Sequence, residues 1–418
     1  MPESGFNKVT RRQFAATVAI LGVKPRSLWG AATQGIDQTL RSSLEAHKIP
    51  TCVAMACTAD KITYTGSFGK RDSGANIPVT PESMFVIASM TKPVTSVAAM
   101  QLVEQGKLKL DEPAGTYIKE LGSLQVLHGF DNAGKPILKP SSKPVTLRTL
   151  LTHTSGFAYD TWFEDMLRWE KATGTQLPLG TVAPLTPLMF EPGSRWQYGT
   201  SADWSGRLVE TVSGMTLEQY FQKNILQPLG MKDTSFIVAP EKFDRVVSTY
   251  GRGQDGNGPL KENPRVQPPP PKAYNGGGGL YSTAPDYVRF MQMFLRHGKG
   301  PKGEQILQPK TVDMMATIQT GSLSCGKLKT ARPAVSTDVD FHPGVKDGFG
   351  FGFLINSKSY EAGRTAGSLA WAGIMNTYFW IDPRKGKAGV ILMQFLPFAD
   401  KDAIAVLGDF ERAVYTNT

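Results

Sequence analysis

Apolar residues repeat at two different spacings in the first part of this chain. Ile36, Leu40 and Leu44 recur every four residues, which predicts an amphipathic helix. The two segments that follow, 51–58 and 61–68, have the pattern of strands, and a short polar turn separates them. The chain is therefore expected to begin with a helix followed by a β-hairpin.

The remainder of the chain changes from helical to strand-like patterns. Helices and loops are expected from about residue 112 to residue 229. The C-terminal part predicts three strands and a closing helix, at 348–354, 370–381, 389–395 and 400–415. Strands near both ends with helices between them indicate an α/β fold.

This order of elements divides the chain into two lobes. Residues 33–90 and 305–418 are expected to form an α/β lobe, with an antiparallel sheet flanked by helices. Residues 91–304 are expected to form a mainly helical domain inserted into it. Within that insertion, 251–279 is a loop rich in proline and glycine, and its run of four prolines favours an extended connector.

The N-terminal segment, residues 1–32, resembles an export signal of the twin-arginine type. Arg11 and Arg12 precede a short apolar run at 15–23. We therefore expect a periplasmic or secreted protein, and a basic tail on a cytoplasmic protein is the alternative. No apolar run reaches the roughly 18 residues that a membrane-spanning helix needs.

Charge, cysteine and histidine patterns exclude several classes of function. The formal net charge is +10, but no dense Lys/Arg run follows the N-terminal segment, so nucleic-acid binding is not expected. Cys52 and Cys57 lie at an odd separation on one predicted strand and should face opposite ways without bridging. No zinc-type histidine spacing occurs, so we expect no metal and no cofactor. His153 is expected to be structural, because no Gly-x-Ser-x-Gly motif accompanies it.

Residues 89–92, Ser-Met-Thr-Lys, lie at the start of a long apolar helix that is expected to end at Gly106. On a helix Ser89 and Lys92 share one face, so the amine can take the proton from the hydroxyl. Two other Ser-x-x-Lys matches, 67–70 and 324–327, lie in a predicted strand and in an aperiodic segment. Ser89 is thus a candidate acyl-transfer nucleophile, with an ordinary helix-start residue as the alternative.

A lysine base needs burial and partners, because an ordinary lysine has a pKa of about 10.4 and is almost fully charged at pH 7. Tyr198, within the turn-rich segment 190–200, is the tyrosine in the most site-like setting, although an ordinary packed tyrosine would fit as well. An oxyanion hole could use the backbone N–H groups of Ser89 and Ile374, with Gly373 allowing the carbonyl to approach. A plain core strand is the alternative for that segment.

Three motifs occur in the order found in a known superfamily. Residues 89–92, 198–200 (Tyr-Gly-Thr) and 371–373 (Trp-Ala-Gly) resemble the motifs of serine β-lactamases and penicillin-binding proteins. The chain resembles in particular the class C β-lactamase-like esterases called family VIII carboxylesterases, and it is also similar to fungal statin side-chain acyltransferases. Further segments that carry the likeness are 126–131, 150–156, 227–231 and 277–283.

This resemblance implies a β-lactamase/penicillin-binding-protein-like fold with Ser89 between two lobes. It implies that Ser89 attacks the acyl carbonyl while Lys92 and Tyr198 share the role of base. It also implies that Tyr159 and Trp371 line the substrate pocket. The acyl-enzyme would then pass its acyl group to water or to an alcohol.

Two positions depart from the usual motifs. Thr200 stands where asparagine is usual, and Trp371 stands where a lysine would hold the carboxylate of penicillins. An aromatic side chain there suits uncharged, apolar esters. We therefore expect a serine carboxylesterase acting on small, short-chain acyl esters. The alternatives are an acyltransferase using the same acyl-enzyme, a weak β-lactamase or amide hydrolase, and a non-catalytic cell-wall binding module. The sequence does not indicate an oligomeric state.

Overall fold

A computed structural model of the chain describes residues 28–178 and 180–417. The predicted export signal occupies residues 1–32, and its positions 1–27 lie outside the described residues. The strands are β1 Thr51–Cys57, β2 Ile62–Asp72, β3 Ile77–Pro78, β4 Phe85–Val86, β5 Gln125–Phe130, β6 Pro136–Pro140, β7 Tyr250–Gly251, β8 Lys261–Glu262, β9 Tyr281–Ser282, β10 Lys327–Leu328, β11 Val339–Asp340, β12 Gly348–Phe349, β13 Leu354–Ile355, β14 Leu369–Gly373, β15 Thr377–Asp382, β16 Lys387–Leu392 and β17 Phe395–Leu396.

The helices agree in type with the amphipathic patterns, and several are short. They are α1 Leu28–Ala46, α2 Thr91–Glu104, α3 Leu147–Leu151, α4 Glu164–Thr173, α5 Ser201–Ser213, α6 Leu217–Phe221, α7 Gln227–Leu229, α8 Ala284–Leu295, α9 Pro309–Met315 and α10 Lys401–Thr416. A π-helical segment, Gln222–Leu226, joins α6 to α7. A single 3-10 turn, Ala88–Met90, precedes α2.

The central sheet has eight antiparallel strands in the order β12-β13-β14-β15-β16-β1-β2-β3. Its middle joins the two ends of the chain, because β1 pairs with β16 and places Val53 opposite Leu392. The predicted α/β fold with an antiparallel sheet, contributed by both ends of the chain, is confirmed.

Helices cover both faces of this sheet. The Trp380 ring packs against Phe410 of α10, with centroids 5.4 Å apart, and the Phe379 ring packs against Tyr287 of α8 at 5.0 Å. Successive strand residues point to opposite faces, so α8 and α10 lie on opposite sides. The predicted boundary at 304/305 assigned α8 to the helical lobe, whereas the structure packs it on the sheet.

Helix α2 lies between the sheet and the helical insertion. Its residues from Thr91 to Leu102 are all buried, including Lys92. A helix without a polar face is stable only when other elements surround it. Here α5 packs against it, and β14 contacts the turn that precedes it. This packing fixes the start of α2 at the junction of the two lobes.

Some elements differ from the sequence-based expectation. The predicted strand 370–381 is a hairpin, with β14 and β15 joined at Asn376, which has φ of 57°. The β5–β6 hairpin at 125–140 lies where helices and loops were expected. The left-handed residue of the first turn is Asn376, a weak signal of a chain reversal, whereas the β5–β6 turn contains Gly134, with φ of 81°, a local signal that was overlooked.

Two further observations concern the described residues as a group. No helix among them is both long and apolar enough to cross a membrane. Cys52, Cys57 and Cys325 are buried and unbridged.

Candidate active site

Ser89 lies in the 3-10 turn that leads into α2. Ala88, immediately before it, has φ of 43°, a left-handed conformation that costs a non-glycine residue roughly 1 kcal/mol. Hydrogen bonds hold this turn, since the Ile87 N–H donates to the Leu280 carbonyl and the Met90 N–H donates to the Ile87 carbonyl, both at 3.0 Å. The strained turn presents Ser89 at a half-buried position.

The Lys92 amine is 2% exposed and contacts three oxygen atoms. Its Nζ lies 3.0 Å from Ser89 Oγ, 2.6 Å from the Gly277 carbonyl oxygen and 3.3 Å from Tyr159 Oη. The structure thus brings together the serine and lysine singled out from the sequence. An amine held this close to a hydroxyl and away from solvent has the geometry of a proton acceptor.

A buried carboxylate, Asp203, extends this network. Tyr159 Oη donates a hydrogen bond to Asp203 Oδ2 at 3.4 Å, and Asp203 is 1% exposed. A Cβ on Gly277 would lie 2.2 Å from Asp203 Oδ2, so this position requires glycine. The sequence analysis did not identify Asp203, although it follows Tyr198 by five residues at the start of α5.

Burial controls the protonation of Asp203 and Tyr159. It raises the pKa of Asp203 to about 6, although the positive charge of Lys92 acts in the opposite direction. Burial, followed by the negative charge of Asp203, holds the pKa of Tyr159 well above its ordinary value. Tyr159 therefore remains a phenol at neutral pH and serves as a hydrogen-bond donor rather than as a base.

Tyr198 contacts the site in a different way from that expected. Lys92 Nζ lies 4.6 Å from the centroid of the Tyr198 ring, and the Tyr198 hydroxyl accepts a hydrogen bond from Trp371 Nε1 at 3.4 Å. The hydroxyl that bonds to Lys92 is that of Tyr159, which the sequence analysis had assigned to substrate binding. Tyr198 borders a small cavity that Ser89 and Trp371 also line.

His153 supports this group of aromatic residues. Its ring centroid lies 4.9 Å from that of Tyr198, and its backbone has φ of 56°. Burial, together with the charge of Lys92, holds the pKa of His153 well below its ordinary value. A neutral, packed imidazole agrees with the structural role predicted for it.

The end of β14 approaches the nucleophile turn closely. A Cβ on Gly373 would lie 2.3 Å from the Ile87 carbonyl oxygen, so only glycine fits there. Trp371 and Gly373 are buried, whereas Ile374 is partly exposed and lines the same cavity as Ser89. The structure therefore places the candidate oxyanion segment beside Ser89.

The cavity in front of Ser89 has a volume of about 310 Å³. Its wall is mostly apolar and includes Met166, Leu177, Pro178, Val182, Phe236 and Met375. Asp160 and Glu170 are the charged residues among its lining residues. Thr200, which replaces the usual asparagine, also lines it, and its buried hydroxyl has no hydrogen-bond partner within residues 28–178 and 180–417.

Two other features are separate from this chemistry. A cavity of about 370 Å³ lies between the sheet and α10, but neither Ser89 nor Lys92 lines it. Within residues 28–178 and 180–417, no cluster of three or more His, Cys, Asp or Glu side chains is placed to hold a metal ion.

Comparison with known proteins gives a consistent assignment. The Beta-lactamase family profile matches residues 36–410. Monacolin J acid methylbutanoyltransferase from Aspergillus terreus is 30% identical over 399 residues, which cover 91% of this chain and 95% of that protein. Lovastatin esterase from Penicillium rubens is 29% identical over 390 residues, covering 89% of this chain and 95% of that protein.

A solved structure agrees with these relatives. Unliganded simvastatin synthase (LovD) from Aspergillus terreus aligns with a TM-score of 0.76 at 29% identity, covering 92% of this chain and 98% of that one. The family match, the Ser89–Lys92 contact and the antiparallel sheet point to one conclusion. The chain belongs to the beta-lactamase family and is an enzyme of its serine hydrolase and acyltransferase type.

Proposed function

We propose that the protein is a serine carboxylesterase that hydrolyses short-chain acyl esters through an acyl-enzyme on Ser89. The observation that carries the proposal is the 3.0 Å contact between Ser89 Oγ and the buried Lys92 amine, next to a mostly apolar cavity. An aligned nucleophile and base beside a substrate-sized cavity is what acyl transfer requires.

In the acylation step, Lys92 Nζ takes the proton of Ser89 as Oγ bonds to the acyl carbon. The carbonyl electron pair moves onto oxygen, where the N–H groups of Ser89 and Ile374 would stabilise the charge. Collapse of the tetrahedral intermediate breaks the bond to the alcohol. Lys92 Nζ then gives the leaving oxygen the proton that it took from Ser89, so the charges balance.

Deacylation repeats these steps with water as the nucleophile. Lys92 removes a proton from the water as its oxygen bonds to the acyl carbon, and Ser89 Oγ recovers a proton as the free acid leaves. Tyr159 contacts the Lys92 amine and Asp203 bonds to Tyr159, and the two side chains hold the amine in place during both steps.

The charges around the cavity favour a neutral ester over a β-lactam. Penicillins carry a carboxylate, which a cation would bind, but Trp371 occupies the motif position where a lysine is usual. The charged residues that line the cavity, Asp160 and Glu170, are acidic and would repel an anion. We therefore expect nitrocefin to be turned over far more slowly than p-nitrophenyl butyrate.

An acyltransferase is the second candidate, because the relative from Aspergillus terreus is named a methylbutanoyltransferase. The two activities share the acyl-enzyme and differ in the nucleophile that reaches it. Product partition should be measured at increasing concentrations of a primary alcohol. Hydrolysis that is unchanged at high alcohol concentration supports the esterase, whereas a dominant transester product favours the transferase.

The proposal is tested by p-nitrophenyl butyrate hydrolysis in matched serine variants. Ser89→Ala should abolish turnover. Among the described residues, the only other hydroxyl that bonds to Lys92 Nζ is that of Tyr159, which stays protonated. Ser324→Ala is the control, since Ser324 also heads a Ser-x-x-Lys sequence but lies exposed on a loop. Wild-type turnover in Ser89→Ala would overturn the proposal.

A further inference from the structure

One carboxyl group on the cavity wall takes no part in the steps above. Glu170, on α4, lines the same cavity as Ser89 and is 6% exposed. Its Oε1 atom is buried and has no hydrogen-bond partner among the described residues. Buried polar atoms are nearly always paired, so an unpaired one that lines a cavity indicates a place for a ligand atom.

The neighbours of Glu170 explain why this oxygen is left over. Arg332 Nη2 bonds both to the Asp160 carboxylate and to Glu170 Oε2, the latter at 3.3 Å. One guanidinium nitrogen thus serves two acids and leaves Oε1 unpaired. The Ala331 N–H donates to the Thr161 carbonyl at 2.8 Å, which holds the arginine segment beside the cavity wall.

Glu170 lies where the substrate cavity adjoins a more open cleft. Glu170, Leu177 and Pro178 line both the substrate cavity and an adjoining open cleft of about 630 Å³, which Arg332 also lines. A substrate extending from Ser89 towards this cleft would pass the Glu170 side chain. The surrounding apolar residues offer contact with methylene groups on the way.

The charge balance around Oε1 selects the kind of group that would bind. A carboxylate would meet two acids, and a cation would compete with the guanidinium of Arg332. A hydroxyl is neutral and can donate to Oε1. Burial, followed by the charge of Asp160, raises the pKa of Glu170 to about 7, and a hydroxyl can pair with either protonation state.

We propose that Glu170 Oε1 recognises a hydroxyl group of the substrate, several bonds from the scissile carbonyl. The preferred substrates are then hydroxylated esters rather than simple alkyl esters. This inference deepens the proposed function and rests on Ser89 chemistry taking place in the same cavity.

The test compares matched pairs of esters. One series contains butyrates of ω-hydroxy alcohols, and the other contains ethyl esters of ω-hydroxy acids. Each ester is paired with the counterpart in which a methyl group replaces the hydroxyl. In the wild-type protein, kcat/KM for the hydroxylated ester is divided by kcat/KM for its methyl counterpart. This ratio should be about 3- to 10-fold higher at one chain length than at the others, as expected for one additional hydrogen bond.

Three variants assign this rise to Glu170. Glu170→Leu should remove the maximum in this kcat/KM ratio, and Glu170→Gln, which keeps a carbonyl oxygen, should retain part of it. Glu164→Leu, on an exposed position of the same helix, is the matched control and should behave as wild type. A ratio that does not vary with chain length, or a maximum unchanged in Glu170→Leu, overturns the proposal.

Two further measurements separate this inference from the proposed function. Calorimetric binding of the same ester pairs to Ser89→Ala should show the same preference without turnover, and equal affinities within every pair would contradict it. A trimethylammonio group in place of the hydroxyl carries charge but donates no hydrogen bond. Tighter binding of that ester would show that charge is recognised instead and would also overturn the proposal. The proposed function is judged independently, by wild-type hydrolysis of the methyl-terminated esters.

Discussion

Two buried ionisable groups border the region in front of Ser89, and their surroundings differ. The amine of Lys92 has three oxygen partners, whereas one oxygen of Glu170 has none among the described residues. Complete hydrogen bonding holds a group in one position, which a reaction centre needs before substrate arrives. An unpaired buried atom costs free energy, and a ligand that bonds to it removes that cost. We propose that the Lys92 end of the site performs the chemistry and that the Glu170 end selects the substrate.

The largest loss of activity is expected from replacing Lys92, whose amine has three oxygen partners. Lys92→Ala removes the proton acceptor of Ser89 and should lower kcat for p-nitrophenyl butyrate by about 10³- to 10⁴-fold. Lys327→Ala is the control, because Lys327 ends another Ser-x-x-Lys sequence on an exposed strand. Steady-state kinetics that show a loss below tenfold in Lys92→Ala would mean that another group acts as the base.

A smaller loss is expected from the residues that position the amine. Tyr159→Phe and Asp203→Asn each disturb the network around Lys92, and each should lower kcat by about 10- to 100-fold through misplacement of the amine. The double variant should lose little more than either single variant, because both act through one hydroxyl. Losses that multiply in the double variant would contradict a shared network.

The same carboxylate should also affect stability in a predictable direction. Folded Asp203 keeps its proton up to about pH 6, whereas in the unfolded chain it loses the proton near the ordinary value of 3.8. Folding therefore takes up a proton between these values, so the contribution of Asp203 to stability falls as the pH rises through this window. Above about pH 6 the contribution no longer changes.

Asp203→Asn removes this proton uptake. Relative to wild type, its unfolding free energy should increase by about 3 kcal/mol between pH 4 and pH 7, as the difference between the two pKa values requires. Urea unfolding at a series of pH values measures this change. Asp165→Asn, at an exposed position of α4, should show no such trend. A constant difference between Asp203→Asn and wild type across this range would contradict a buried carboxyl with a raised pKa.

The sequence predicts the parts of the molecule whose signals are local. The spacing of Ser89 and Lys92 implies one helical face, and the 3-10 turn that leads into α2 places both side chains in contact. The strand-like segments 51–58 and 61–68 with a short polar turn between them likewise predict the hairpin of β1 and β2, which the structure contains. The three motifs were sufficient to indicate the family.

Contacts between distant segments could not be predicted in the same way. Tyr159 and Asp203 are 44 residues apart, and Gly277 reaches Lys92 across 185 positions. Which tyrosine hydroxyl meets the amine depends on how α5 and the glycine loop pack against α2, and no residue spacing encodes this. The contacts of Arg332 with Asp160 and Glu170 could not be predicted for the same reason, since the arginine comes from a distant loop.

The most direct test is mass spectrometry of the acyl-enzyme trapped with p-nitrophenyl butyrate or a fluorophosphonate. One adduct per chain is expected, on the peptide that contains Ser89, with none in Ser89→Ala and much slower formation in Lys92→Ala than in Lys327→Ala. An adduct on another residue, or labelling of Ser89→Ala at the wild-type rate, would show that the buried Lys92 amine does not activate Ser89.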